Sequence, residues 1–173
     1  MVAGADRDGD DRRAAGVAMH LGTDHVHRQR FAVGIGWLQR AERLLESSGT
    51  EVKQRGGGDG FFAVFESPDD AVACAVAIRR RFAREREEHG FAPGLRIGVH
   101  EAEALQRGDD FAGLGMHEAA RISGITGAGE ILASRSTVDA AGAVAVSPAR
   151  EVELKGIADR VAVQAVAWEE RET

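Results

Sequence analysis

The sequence has one cysteine, three prolines, no tyrosine and few aromatic residues. Because Cys74 has no second cysteine to pair with, no intramolecular disulfide can form, and the composition fits a reducing cytoplasm. Free cysteines are usually core residues, so we expect Cys74 to be buried. The sequence also lacks a run of about 18 apolar residues and the basic and apolar regions of a signal peptide. We therefore expect a cytoplasmic protein that does not enter a membrane.

Basic residues do not dominate the charge. The chain has 22 lysines and arginines against 28 aspartates and glutamates, which gives a formal net charge of -6. Proteins that bind nucleic acid need a basic surface to displace counterions from the phosphates, so this class is not expected here. A ligand that carries phosphate could still bind through a metal ion.

The length of 173 residues fits one domain of ordinary size. Residues 1–15 have mixed charge and almost no apolar period, which predicts a disordered arm. Residues 16–168 are predicted to form the single domain, and residues 169–173 a tail.

The apolar pattern predicts short strands that alternate with helices. Such a mixture indicates an α+β fold, with one sheet and helices packed on it. The predicted helices are Phe31 to Glu46, Ser67 to about Glu88, Ala119 to Ile125 and Thr137 to Ala141. The predicted strands, besides a weak one within Gly16 to Val26, are Thr50 to Arg55, Phe61 to Phe65, Leu95 to His100, Glu130 to Ala133, Val152 to Leu154 and Val161 to Ala167.

Six runs of residues carry the functional signal. In order and spacing they resemble the class III adenylate and guanylate cyclase domain, and the match covers roughly Glu51 to Val166. The runs are Gly58-Asp59-Gly60-Phe61-Phe62-Ala63-Val64-Phe65, Leu95-Arg96-Ile97-Gly98-Val99-His100, Arg107-Gly108-Asp109-Asp110-Phe111-Ala112-Gly113, Glu118-Ala119-Ala120-Arg121-Ile122, Gly129-Glu130-Ile131-Leu132-Ala133-Ser134 and Glu153-Leu154-Lys155-Gly156-Ile157.

The resemblance implies a fold, an assembly and a reaction. The fold is a ferredoxin-like βαββαβ sandwich with an antiparallel-rich sheet, and the assembly is a head-to-tail dimer with active sites in the groove between protomers. In the reaction the ribose 3′-hydroxyl attacks the α-phosphorus of a nucleoside triphosphate, and pyrophosphate leaves. Such a step needs two carboxylates that hold divalent metals, here Mg²⁺ or Mn²⁺, and a cation near the phosphorus.

Asp59 is the strongest single candidate. It stands in a glycine-flanked turn between two β-prone runs, from which a carboxylate projects to a place that a metal and a phosphate can reach. The alternative is that Asp-Gly is here only because it suits a type I′ hairpin turn.

The second metal carboxylate is less clear. By resemblance it would be Asp24, which stands in a Leu-Gly-Thr-Asp-His-Val run. The family usually has Phe-Thr-Asp-Ile followed by Gly-Ser-Thr at this place, and this chain lacks that turn. The sequence leaves open whether Asp24 is a ligand.

Three more residues match family positions near the base, the ribose and the reacting phosphate. Asp110 matches the acidic residue that accepts from the adenine amino group, which favours ATP over GTP. Arg121 matches the arginine that stabilises the transition state, against the alternative of an ordinary surface arginine. His117 stands where active members generally carry an asparagine that orients the ribose. It either donates one hydrogen bond in its place or is a surface histidine.

Three cationic residues remain as candidates for substrate binding, and two of them are alternatives for one role. The family's base-reading lysine falls four residues before the hairpin aspartate, where this chain has Arg55, while Lys53 lies six residues before. Either a bulge leaves Lys53 in the role or Arg55 has taken it, and the two cations are not equivalent in geometry. Lys155 is a candidate for a triphosphate contact or is an ordinary surface lysine.

Two hypotheses follow. The first is an adenylate cyclase-like homodimer that makes 3′,5′-cyclic AMP from ATP. The second is a catalytically impaired cyclase-homology domain that binds nucleotide or dimerises, with itself or with another cyclase domain, as a regulatory module. The altered Asp24 run and His117 motivate the second, and the sequence leaves activity open.

Overall fold

The computed structural model describes residues 13–23, 51–53, 60–65, 67–90, 92, 94–107, 110–112 and 114–169. Strands and helices alternate along these residues. The strands are β1 (Arg13–Thr23), β2 (Glu51–Lys53), β3 (Gly60–Phe65), β4 (Leu95–Arg107), β5 (Asp110–Ala112), β6 (Ile131–Ser134), β7 (Arg150–Val152) and β8 (Val161–Ala165). The helices are α1 (Pro68–His89), α2 (Leu114–Ile125) and α3 (Arg135–Ala140).

The strands of the described residues form one sheet. Its order is β2-β3-β1-β4-β6-β8-β7, and β5 pairs with the end of β4. All neighbours run antiparallel except β4 and β6, which are parallel. Because parallel strands need a crossover connection, the chain passes through β5 and α2 between them. The prediction of an α+β fold with an antiparallel-rich sheet and packed helices is confirmed.

Helices α1 and α2 lie on opposite faces of this sheet. Ile97 and Val99 belong to the core cluster that also contains the buried residues of α1. Gly98 lies between them and faces the backbone of α2, as expected because successive residues of a strand point to opposite faces. The α2 face has a smaller core of its own, made of Ile122, Leu132, Leu154 and Val163.

Helix α1 begins and ends at residues that the sequence marks. The Ser67 side chain accepts a hydrogen bond from the Asp70 amide, Pro68 is the first helical residue, and Asp69 and Asp70 place negative charge at the positive end of the helix. At the other end Gly90 adopts a left-handed conformation with φ of 73°, which glycine tolerates best. The predicted helix is confirmed, and it ends one residue later than expected, at His89.

Several boundaries differ from the sequence prediction. Strand β1 begins at Arg13, inside the predicted arm 1–15, because its first residues pair with the far end of β4. Strand β4 continues past His100 to Arg107, and β5 was not predicted. The end of β4 is a Glu-Ala-Glu-Ala run of weak strand formers, and β5 has only three residues, so neither was visible in the sequence. The predicted helix Phe31 to Glu46 lies outside the described residues.

The remaining elements shift by a few residues. Helix α2 begins at Leu114 instead of Ala119, and β7 spans Arg150–Val152 instead of Val152 to Leu154. Among the helices of the described residues, none has the length and apolar character needed to cross a membrane.

Candidate active site

The ends of two neighbouring strands meet at the place where the sequence predicts a metal site. Gly22, near the end of β1, lies opposite Gly60, the first residue of β3. In the sequence, Asp24 comes two residues after Gly22, and Asp59 directly precedes Gly60. Asp24, Arg55 and Asp59 themselves lie outside the described residues. The register thus agrees with the adjacent strands that the predicted metal site requires, whereas the positions of the two carboxylates remain a prediction.

Helix α2 carries His117 and Arg121 on one exposed face. Both residues are exposed, and they are four positions apart, which places them one above the other on a helix. The opposite face is fully buried at Ala119 and Ile122. The packing of α2 therefore leaves the two predicted catalytic side chains available to a ligand or to a second protein chain.

The backbone of α2 lies very close to β4. A Cβ atom at Gly98 would stand 2.4 Å from the Ser123 nitrogen and 2.5 Å from the Ala119 oxygen. A real Cβ atom does not come this close to another heavy atom, so only glycine allows the helix to approach the strand this closely. The glycine in the Ile-Gly-Val-His run thereby sets the depth at which α2 sits on the sheet.

A polar pair joins the same strand and helix. His100 Nε2 lies 2.5 Å from the Glu118 carboxylate, and the two side chains are 11% and 16% exposed. His100 Nδ1 is buried and has no hydrogen-bond partner among the described residues. Sequence reasoning missed this pair, although both members stand in the matched runs. The available signal was Glu118, a carboxylate one position before the buried Ala119.

Lys53 and Asp110 lie in paired strands. Lys53 is the last residue of β2 and stands opposite Phe62 of β3. Asp110 is the first residue of β5 and stands opposite Arg107, the last residue of β4. The segment from Asp110 to Arg121 thus leads from a strand into α2. Arg55, the alternative to Lys53 for reading the base, lies outside the described residues, and both roles stay predictions.

Lys155 is exposed in a short loop between β7 and β8. Leu154 anchors the loop in the smaller core, and the Ile157 amide donates to the Leu154 carbonyl at 3.0 Å. An exposed ion pair between Glu153 and Arg160, at 2.6 Å, closes the base of the loop. The loop therefore presents the Lys155 ammonium to solvent, as a phosphate contact would require.

Cys74 plays no part in this region. It is half-buried and packs against the larger core. Burial raises the pKa of its thiol to about 11, so the side chain is a neutral thiol at physiological pH and a poor nucleophile. The prediction of a core cysteine is thus met in part.

The described residues contain no group of three or more histidines, cysteines, aspartates or glutamates that could hold a metal ion. The predicted ligands, Asp24 and Asp59, are both carboxylates. Such hard oxygen donors are what Mg²⁺ and Mn²⁺ prefer. The chemistry of the donors therefore fits the predicted metals.

Two uncharacterized proteins of Mycobacterium tuberculosis are similar to the chain in sequence. Rv0891c is 30% identical over 100 residues, which are 57% of this chain and 32% of that protein. Rv1359 is 37% identical over 132 residues, which are 70% of this chain and 49% of that protein. The chain thus spans about a third to a half of the curated relatives it matches. No protein family model matches it.

Solved structures of nucleotide cyclases have the same fold. The guanylyl cyclase Cya2 is 20% identical with a TM-score of 0.75, covering 93% of this chain and 95% of that chain. The adenylyl cyclase CyaB from P. aeruginosa is 17% identical with a TM-score of 0.72, covering 91% and 96%. The guanylate cyclase domain of RhGC from Catenaria anguillulae, in complex with GTP, is 19% identical with a TM-score of 0.72, covering 90% and 98%.

At these identities the likeness is one of fold. The chain has the fold of the class III nucleotidyl cyclase catalytic domain, which confirms the resemblance found in the sequence at that level.

Proposed function

We propose that the protein is an adenylate cyclase-like domain. It binds ATP with a divalent metal ion in the groove of a homodimer and forms 3′,5′-cyclic AMP and pyrophosphate for cyclic nucleotide signalling. The observation that carries the proposal is the pairing of Gly22 with Gly60. This register runs β1 and β3 side by side up to the sequence positions of Asp24 and Asp59.

Asp59 and Asp24 would hold Mg²⁺ or Mn²⁺. A divalent ion bound there supplies positive charge to the triphosphate and acidity to the attacking hydroxyl. The turn around Asp59 has glycine on both sides, so little protein bulk stands between its carboxylate and a phosphate group.

The other residues bind and orient the nucleotide. Asp110 accepts from the adenine amino group, and Lys53 or Arg55 donates to the base. Lys155, exposed at the tip of its loop, contacts the triphosphate. Because a carboxylate accepts hydrogen bonds only, Asp110 favours the amino group of adenine over the carbonyl oxygen of guanine at the same place.

Arg121 and His117 act at the reacting end. The 3′-hydroxyl gives up its proton to solvent, and its oxygen forms a new bond to the α-phosphorus. The bond to the pyrophosphate oxygen breaks, and negative charge shifts onto the phosphoryl oxygens. The Arg121 guanidinium stabilises that charge. His117, one helical turn away, donates a hydrogen bond that orients the ribose.

A second candidate is a cyclase-homology module that binds nucleotide or dimerises but does not turn over. The observation in its favour is His117, because active members of the family generally have asparagine at this place. A domain of this kind would regulate another activity, by itself or paired with an intact cyclase domain.

The test is cyclic nucleotide release from the purified protein, incubated with Mn²⁺ and either ATP or GTP and measured by chromatography with mass detection. We expect cyclic AMP from ATP, less product from GTP, and a loss of at least about 100-fold in Asp59→Ala, because a metal carboxylate contributes several kcal/mol to such a step. Glu87→Gln, an exposed carboxylate on α1, is the matched control and should keep full activity.

Product from Asp59→Ala at the wild-type rate would exclude the proposed site. ATP binding in calorimetry without any product, from a folded dimer, would instead select the regulatory module.

A further inference from the structure

We propose that the largely buried pair of His100 and Glu118 fixes the rotation of α2 about its own axis and thereby aims Arg121 and His117 at the nucleotide. Neither member of the pair has to touch the substrate, so both are positioning residues. The proposal rests on the proposed function, which supplies the nucleotide at which the helix is aimed. The contact between His100 and Glu118, which we call the tether, is a property of the fold and is testable without activity.

Helix α2 meets β4 at three successive positions on one face of the strand. The Ser123 hydroxyl donates to the Arg96 carbonyl at 3.4 Å, Gly98 lies against the helix backbone, and His100 pairs with Glu118. The helix therefore runs antiparallel to the strand. The first contact is long and the second has no side chain on the strand, so the third is the strongest directional contact of the three.

A directional contact is what this helix needs. At Gly98 the helix rests on bare backbone, which allows close approach but offers no side chain that could interlock with the helix surface. Apolar contacts on either side are non-directional and tolerate small rotations. A largely buried, charge-assisted hydrogen bond is both short and directional, and it is lost when the helix turns.

The pair stands close to the residues it would control. Glu118 directly follows His117 and precedes Arg121 by three positions. A rotation of 20° moves a side-chain atom that lies about 5–6 Å from the helix axis by about 2 Å. Since a misplacement of about 1 Å can cost about 100-fold in rate, a loosened helix should impair catalysis well before it unfolds.

The second ring nitrogen of His100 decides how the proposal is tested. Nδ1 has no hydrogen-bond partner among the described residues, so Glu118 holds the ring by one nitrogen only. Removal of Glu118 alone would leave a buried imidazole with no partner, and the protein would lose stability for that reason. The clean variant removes both members and replaces them with apolar side chains of similar shape, which is often neutral for stability.

The experiment compares His100→Phe combined with Glu118→Leu, the conservative Glu118→Gln, and the wild-type protein. In the double variant we expect kcat for cyclic AMP formation to fall at least about 10-fold while KM for ATP changes less than about threefold, because positioning acts on the reacting geometry. Glu118→Gln keeps a hydrogen-bond acceptor for Nε2 and should retain most of kcat.

The matched control is Glu85→Gln. Glu85 is a buried carboxylate on α1, 2.7 Å from Arg81 and 3.4 Å from His89, so its loss perturbs a comparable pair on a helix that carries no candidate site residue. We expect a lower melting temperature with unchanged kcat below that temperature. An equal loss of kcat in this control and in the double variant would overturn the proposal.

A second measurement does not depend on activity and therefore tests the tether separately from the proposed function. In a Cys74→Ala background, spin labels at Gly124→Cys on α2 and Glu87→Cys on α1, diluted with unlabelled protein, report the distance between the two helices. The double variant should broaden or shift this distance distribution, and Glu118→Gln should not. An unchanged distribution in the double variant refutes the tether, whether or not the wild-type protein makes product.

Discussion

At the residue scale, the position of α2 depends on Gly98, because glycine has no side chain. Gly98 has an ordinary strand conformation, so glycine is required here by the lack of space for a side chain and not by the backbone angles. Any larger residue would push α2 outward at Ser123 and Ala119, and both atoms it meets belong to the helix backbone, which cannot rotate away.

We predict that Gly98→Ala lowers the free energy of unfolding by about 3 kcal/mol, the upper part of the range for overpacked cores. Chemical denaturation followed by circular dichroism measures this change. Gly124→Ala is the control on α2 itself, because nothing lies within 4 Å of a Cβ at this exposed position. It should stabilise the helix by about 0.5–1 kcal/mol. A stable Gly98→Ala protein would contradict the close packing of α2 on β4.

At the scale of the element, local chemistry decides what the sequence can predict. Helix α1 was predictable almost to the residue, because a serine cap, a proline, two aspartates and a terminal glycine mark its ends. Strand β5 and the end of β4 were not, because β5 has only three residues and the end of β4 is rich in glutamate and alanine, which are depleted in strands. The tether between His100 and Glu118 needs the crossing of α2 over β4, a contact across the fold that no local pattern encodes.

The capping of α1 gives a prediction at this scale. Ser67→Ala removes the oxygen that accepts from the Asp70 amide and should cost about 1 kcal/mol of unfolding free energy. Ser67→Asp keeps an acceptor and adds a charge that the helix N-terminus favours, so it should be close to neutral. Thermal unfolding of the three proteins tests the order. An unfolding free energy in Ser67→Ala equal to that of the wild type would show that the cap contributes nothing. A loss in Ser67→Asp as large as in Ser67→Ala would show that aspartate does not replace the serine.

At the scale of the whole molecule, the candidate residues are spread over elements that are far apart in the sequence. Asp24 and Asp59 adjoin the paired ends of β1 and β3, whereas Arg121 stands on the exposed face of α2. Two contacts of Arg79 join α1 to other parts of the chain: its Nε donates to the Gly129 carbonyl at 2.5 Å, in the turn after α2, and its guanidinium lies 4.0 Å from the centre of the Trp168 ring. Burial lowers the pKa of this arginine.

The resemblance identifies Asp59 and Arg121 from the sequence. It does not say whether the two residues of one site come from the same protomer or from different protomers. In the dimer of the proposed function, sites in the groove draw on both protomers, and the exposure of His117 and Arg121 suits contact across such a groove. If Asp59 of one protomer works with Arg121 of the other, an Asp59→Ala protomer and an Arg121→Ala protomer can together form one intact site.

We therefore predict that the two inactive variants complement each other when mixed. Random exchange makes half of the dimers mixed, and each mixed dimer has one intact site of two, so activity should recover to about a quarter of wild type. Cyclic AMP release as a function of mixing ratio measures it, with each variant alone as the blank. Confirmed subunit exchange without recovery would mean that Asp59 and Arg121 serve the same protomer, and the site would then have to be built within a single chain.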